Sequence, residues 1–311
     1  MNREQVKSKL TGCFIAIPTI FDKDEEVDLN AMRRHVRWLI GKGVKEGNGM
    51  ILVSGAAGEF ATLTLDERKE MADALCEEAA GRVPILIGVQ GNSTREVVDL
   101  ARHAARAGAT AVQMSPPFYY TPTDGDVYDE VKAVAEAADI GIILYQTWWK
   151  GYRMPISLLE KLAQIDQVVG LKWSAPDWYE YEMGFRLFKE RLSIIDNQLH
   201  LVYAHMLGAR GLNAHPSNFW PEWGINLWNL LEAHKYVEAQ AEVEKVIWPF
   251  YDVCAEAASY TGGEGHVDKL CLELVGLTGG VNRRPTRPLP PQIKEKLRRI
   301  FVEVGVPRAE V

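Results

Sequence analysis

The feature of this chain that most narrows its fold is a regular alternation. Eight short runs rich in β-branched and apolar residues recur along it: "CFIAIPT" (13–19), "GMILVS" (49–54), "PILIGV" (84–89), "AVQMSP" (111–116), "GIILYQ" (141–146), "VVGLKWS" (168–174), "LSIIDN" (192–197) and "GLNAH" (211–215). Amphipathic helical stretches fill the intervals. Strands separated by helices pair in parallel through right-handed crossovers. Two α/β folds then compete. A doubly wound sheet has about six strands and often a glycine-rich phosphate loop after the first. Here the first run leads into "PTIFDKDEEVD", which lacks a Gly-x-Gly-x-x-Gly pattern. Eight units within roughly 200 residues predict a (β/α)8 barrel instead.

Local signals agree with this reading. Asp28 precedes "LNAMRRHVRWLIGKG" as a cap candidate. Thr64 and Glu67, and again Ser93 and Glu96, have the three-residue spacing of a capping box. Past residue 220 the pattern is helical throughout. The expected organisation is an α/β protein: a (β/α)8 TIM barrel over residues 1–235, with a C-terminal helical extension, 236–311, packed on it.

Composition excludes several classes of function. The formal net charge is −7, and the one basic cluster, "NRRPTRP" (282–288), is short and proline-rich. It is expected to pack on the fold, and no nucleic-acid partner is expected. Cys13, Cys76, Cys254 and Cys271 are scattered without a Cys-x-x-Cys pair, and the histidines lack metal-ligand spacing. Neither a metal nor another cofactor is expected. The start, "MNREQVKSKL", lacks the apolar core of a signal peptide, and no apolar run approaches the roughly 20 residues of a membrane span. A reduced, cytoplasmic protein without a membrane partner is the expectation.

In such barrels chemistry sits at the C-terminal ends of the strands. Lys172 lies within an apolar run there. Lysine is almost never fully buried without a partner or a role. It is either a strand-end residue whose head snorkels to solvent or a desolvated amine able to attack a carbonyl. The turn "SGAAGEF" (54–60) is either a plain glycine-rich turn or one that aims backbone N–H groups at an anion. "SPPFYYTPT" (115–123) makes a rigid loop with adjacent tyrosines, and Tyr145 ends the fifth run. Asn213 and His215 end the eighth. Each alone has a packing explanation, but polar features at five equivalent strand ends point to a site.

With these residues in view, the chain resembles the dihydrodipicolinate synthase / N-acetylneuraminate lyase family of class I lyases, which work through a Schiff base. The resemblance runs from about residue 10 to 300 and rests on "GAAGE" (55–59), "PPFYY", "LYQ", "GLKWS" and "GARGLNAHPSNFWP" (208–221). It implies a (β/α)8 barrel with C-terminal helices and a homotetramer built as a dimer of dimers. It implies that Lys172 forms a Schiff base with the 2-oxo carbon of a small-molecule substrate derived from pyruvate. Tyr145 would move the proton, and Tyr119 would reach a neighbouring subunit's site. The substrate carboxylate would lie on the N–H groups of Ala56 and Ala57.

Departures from the family pattern bear on the substrate. Ala56 and Ala57 stand where the synthase and the sialic acid lyase usually carry hydroxyl residues. Gln146-Thr147-Trp148 replaces the usual Asn-x-Pro. Lys150 stands where the synthase has an arginine that grips its aldehyde substrate, and is a less oriented anion donor. Only half of the sialic acid lyase's acid pair is kept, at Asp196 and Asn197. Ser174 lies where sugar-acid lyases often have a hydroxyl, and Asn213 and His215 occupy substrate-tail positions. Trp148, Trp149, Phe219 and Trp220 either wall an aromatic substrate or pack the rim. The expected activity is an aldolase or dehydratase acting on a 2-keto-3-deoxy sugar acid or a related hydroxylated or aromatic 2-oxo acid. Alternatives are a hydrolytic deaminase of a cyclic imino acid, a synthase-like condensation, and a homologue that binds a 2-oxo acid without turning it over.

Overall fold

The computed structural model describes residues 2–308 of the 311. Eight strands close into a parallel barrel in chain order: β1 (Gly12–Ala16), β2 (Gly49–Val53), β3 (Ile85–Gly88), β4 (Ala111–Met114), β5 (Gly141–Tyr145), β6 (Val168–Trp173), β7 (Ser193–Asp196) and β8 (Gly211–Asn213). Each falls within a run expected from the sequence, except that β1 begins one residue earlier, and β1, β4 and β8 end two or three residues before their runs do. The short helix α1 (Arg3–Lys9) lies across the lower end of the barrel, with Val6 packed on its interior cluster, and the outer ring begins with α2 (Leu29–Gly41), α3 (Leu65–Ala79) and α4 (Thr94–Ala107). It continues with α5 (Asp124–Ala137), α6 (Ile156–Leu162), α7 (Trp178–Phe188), α8 (Leu201–Leu207) and α9 (Pro221–Glu232). Then come α10 (Tyr236–Tyr260), α11 (His266–Val275) and α12 (Pro291–Val304). None of these helices is long and apolar enough to cross a membrane.

Alternation along the strands builds two apolar layers, because successive side chains point to opposite faces. Phe14, Met50, Leu52, Leu86, Ile143 and Ile195 fill the barrel, and Leu10, just past α1, closes it from below. Ile15, Ile51, Val53, Ile87, Val112 and Ile142 face the helices. A third cluster, with Phe219, Phe250, Leu272, Leu297 and Phe301, joins the last three helices to the end of the barrel.

Caps follow the sequence in part. The Thr64 hydroxyl accepts from the Glu67 N–H while the Glu67 carboxylate accepts from the Thr64 N–H, a complete capping box. Ser93 is the N-cap of α4, but its side chain makes no capping bond, so the second expected box is absent. The "NRRPTRP" segment packs on the fold. Arg283 is held by Glu67 and by the carbonyls of Glu25 and Thr62, with its guanidinium 4.3 Å from the centre of the Phe21 ring.

A bulge sets the aim of β6. Ile142 pairs with Val168 but Ile143 with Gly170, so Val169 is an extra residue in the ladder. An extra residue re-aims every side chain beyond it. Val169 faces the barrel interior, and without the bulge Lys172 would face the helices. With it, Leu171 and Trp173 face the helices and Lys172 turns inward beside its register partner Tyr145.

Candidate active site

The inward positions nearest the strands' C-terminal ends form the floor of a cavity of about 410 Å³. Ala16, Leu52, Gln113, Tyr145, Lys172, Asn197 and Asn213 line this floor, each from a different strand or the residue after it. Ala56 and Ala57 close one side, and Trp148 and Trp149, packed edge to face, form part of the rim.

Lys172 is 5% exposed, and its ammonium makes no hydrogen bond or ion pair among the described residues. It lies 4.5 Å from the centre of the Phe14 ring and 4.7 Å from that of Tyr145. Burial lowers its pKa to about 8, against the opposing pull of Glu264 and Asp196. Roughly a tenth is therefore neutral amine at pH 7, the form that adds to a carbonyl. Burial, and then the Glu264 carboxylate, push the Tyr145 phenol well above its usual pKa, with Asn197 pulling the other way. That phenol holds its proton.

The N–H groups of Ala56 and Ala57 donate to nothing among the described residues. The turn carrying them is fixed from behind. Glu59 sits in the left-handed region at φ 54° and forms a buried ion pair with Lys269 of α11. Gly265, at φ 82°, lies so close to this turn that a Cβ there would come within 2.0 Å of the Ala57 carbonyl oxygen. Only glycine tolerates both the conformation and the contact.

The structure brings six of the sequence candidates to one cavity: Lys172, Tyr145, Ala56, Ala57, Asn213 and His215. Three lie elsewhere. The Ser174 hydroxyl is fully buried and donates to the Gln146 carbonyl at 2.7 Å, so it has no proton free for a substrate. Lys150 lines a neighbouring cavity, and its ammonium is neutralised by Glu264 at 2.9 Å, which removes it as a free anion donor. Tyr119 is 89% exposed and does not line the cavity; its loop is pinned where the Asn92 side-chain oxygen accepts from the Phe118 and Tyr119 N–H groups.

Other expectations resolve by strand parity and packing. Asp196 faces away from the cavity and accepts from the Tyr181 hydroxyl at 2.7 Å, while Asn197 faces in and accepts from the Asn213 amide at 3.0 Å. Phe219 belongs to the C-terminal core, stacked on Phe301, and Trp220 packs against that core; neither walls the cavity. Gln146 takes the place of the family's asparagine and serves packing. Its side chain brackets the backbone of Met154 through both its carbonyl and its amide, closing the loop that carries the two tryptophans.

The wall opposite the barrel floor comes from α10, α11 and the loop between them: Tyr251, Cys254, Glu264, His266 and Asp268. None of these residues stands out in the sequence as a site candidate. The one signal is "TGGEGHVD" (261–268), a glycine-rich acidic stretch inside an otherwise helical region. Within this wall Asp268 is 1% exposed and bonds His215 Nδ1 at 2.7 Å. Among the described residues no grouping of three His, Cys, Asp or Glu side chains could hold a metal ion.

The model of the dihydrodipicolinate synthetase family matches residues 9–303. The chain belongs to that family. The 4-hydroxy-tetrahydrodipicolinate synthase of Nitrobacter hamburgensis is 29% identical over 302 residues, covering 96% of this chain and 98% of that one. Among solved structures, dihydrodipicolinate synthase from Aquifex aeolicus superposes with a TM-score of 0.86 at 25% identity, covering 96% of this chain and 100% of that one. The Acinetobacter baumannii synthase, solved in complex with pyruvate, gives 0.84 at 25% identity, covering 96% and 99%. The family inferred from the sequence motifs and the family matched are the same, and the identities mark a divergent member.

Proposed function

We propose that the protein is a lyase that forms a Schiff base with a 2-oxo acid derived from pyruvate, with Lys172 as the nucleophile. The observation that carries this reading is a buried lysine without a counter-ion, its pKa lowered to about 8, open to a cavity that also offers two unused backbone N–H donors. The amine adds to the 2-oxo carbon and water leaves. The resulting iminium draws in electrons when a bond to C3 breaks. The carboxylate rests on the Ala56 and Ala57 N–H groups, and Tyr145, which keeps its proton, delivers it to C3. The family membership and the pyruvate-bound relative support pyruvate-dependent, aldolase-type chemistry.

The substrate's tail is longer than pyruvate and is not an anion of the kind the synthase grips, because Lys150 is already paired with Glu264. The Asn197–Asn213 amide pair favours hydroxyl groups on that tail, and the Trp148–Trp149 rim favours an apolar end. The exposed Phe118–Tyr120 loop fits a contact between subunits of a tetramer, in which Tyr119 serves the neighbouring site.

Incubation with pyruvate and sodium borohydride followed by peptide mass spectrometry tests the assignment. A reduced adduct on Lys172, lost in Lys172→Ala, is expected. An adduct on another lysine, or none on folded protein, would sink it.

A further inference from the structure

The proposed chemistry leaves one proton without a carrier. A phenol that holds its proton serves as an acid toward C3. Breaking the C3–C4 bond of a 4-hydroxy-2-oxo acid also needs a base for the C4 hydroxyl. Tyr145 on β5 flanks Lys172 on one side. On the other side, past β7, the residue two beyond β8 is His215.

His215 is built like a general base. Its Nδ1 lies 2.7 Å from the Oδ2 of Asp268, a carboxylate that is 1% exposed and whose other oxygen has no hydrogen-bond partner among the described residues. An ionised carboxylate there fixes the proton on Nδ1, so neutral His215 presents the Nε2 lone pair. Nε2 makes no hydrogen bond within the described structure, and the imidazole lines the same cavity as Lys172. The Tyr251 ring, edge-on at 6.0 Å between centroids, packs against the imidazole. A carboxylate–imidazole pair with its free nitrogen in a cavity has the logic of an acid–base dyad.

We infer that His215, oriented by Asp268, is the base that takes the proton from the C4 hydroxyl when the substrate is a 4-hydroxy-2-oxo acid. This rests on the Schiff-base reading above. The step balances. His215 Nε2 accepts the hydroxyl proton, the O–H electron pair becomes the new C=O bond of the departing aldehyde, and the C3–C4 bond breaks. Its electrons form the C2=C3 bond of an enamine and neutralise the iminium nitrogen. Tyr145 then protonates C3, solvent returns His215 and Tyr145 to their starting forms, and water releases pyruvate from Lys172. His215 is a catalytic residue in this scheme and Asp268 a positioning residue.

The two roles separate experimentally, because exchange of the pyruvate methyl hydrogens needs Lys172 and Tyr145 but not a base at C4. Three quantities are measured on the parent, His215→Asn and Asp268→Asn: the borohydride-trapped pyruvate adduct, deuterium exchange into pyruvate by NMR, and pyruvate release from 2-keto-3-deoxygluconate and from 4-hydroxy-2-oxo-4-phenylbutanoate. General-base removal predicts that His215→Asn keeps the adduct and keeps exchange within about threefold, while cleavage falls roughly 100-fold or more. Asp268→Asn, which preserves shape, is expected to lower cleavage about tenfold or more with exchange retained. Cleavage by His215→Asn within threefold of the parent overturns the assignment. So does a parallel loss of exchange and cleavage in both variants, since a purely structural clasp would act that way. A parent that is trapped and exchanges but cleaves neither substrate also overturns it. No adduct on the parent removes the Schiff-base reading itself and the dyad with it.

Discussion

Two lysines in different regions of this molecule are almost fully buried, and they solve the problem of burial in opposite ways. Lys269 of α11 is 2% exposed and Lys172 of β6 is 5% exposed. Both ammonium groups sit over an aromatic face, Lys269 4.6 Å from the centre of Phe21 and Lys172 4.5 Å from that of Phe14. Lys269 adds a carboxylate, Glu59, and donates to the Val281 carbonyl at 2.7 Å. Lys172 has neither. Burial pushes the pKa of both down, but at Lys269 the ion pair opposes it directly, whereas at Lys172 the opposing carboxylates act from a distance. Burial alone therefore does not make a nucleophile. The proposed chemistry needs burial, no hydrogen-bonding partner and an open cavity, and only Lys172 of the pair combines the three.

Breaking the pair at α11 gives the largest expected change. Lys269→Met strands the Glu59 carboxylate in the interior, and loss of one member of a buried pair costs about 3–5 kcal/mol. Denaturant unfolding measures this. A loss below about 1 kcal/mol would mean that the pair is no clasp and that the contrast between the two lysines is false.

The opposite sign is expected at β6. Folded Lys172 binds its proton less tightly than the unfolded chain does, with a pKa of about 8 against 10.5. Below about pH 8 both states carry the proton and the full penalty applies; between about 8 and 10.5 the folded lysine is neutral while the unfolded one still binds its proton, so the penalty on the folded state shrinks as pH rises and is gone once both states have lost the proton. The unfolded state binds more protons across that window, so stability rises with pH there. Lys172→Met should then stabilise the protein by about 1–3 kcal/mol at pH 7, and by progressively less as pH rises through the window. Melts at two pH values decide it, and a destabilised variant at pH 7 would contradict the reading.

The smallest effect concerns the ring beneath Lys172. A cation over an aromatic face gains about 0.5–1 kcal/mol, so Phe14→Leu should lower the Lys172 pKa further and shift the midpoint of borohydride trapping down by roughly half a pH unit. An upward shift would show that the ring acts through burial rather than through its face.

The barrel was legible because strands and helices announce themselves by local period, and the Thr64–Glu67 box because its partners are three residues apart. Ser93 and Glu96 share that spacing without the side-chain bond, since the Ser93 carbonyl already accepts from the Glu96 N–H. Lys172, Tyr145 and the Ala56–Ala57 turn were legible as motifs at strand ends. Their common direction was not, because it depends on one extra residue in β6 that no periodicity in so short a run reveals. Ser174 shows the converse. Its place in the sequence suggests a ligand, but the Gln146 carbonyl lies next to it in space and takes its proton. Glu264, Asp268 and Tyr251 were invisible for another reason. They reach the cavity only because α10 and α11 fold back over the strands, a long-range fact with no local signature.

That same fold-back separates two moments in the life of the chain. By Asn213 every strand of the barrel, and the lysine with it, has been synthesised. Much of the cavity's outer wall, Tyr251 to Asp268, has not. During translation the Lys172 amine therefore exists before its enclosure does. The last helices act as the stage of assembly that gives the bare barrel mouth its outer wall.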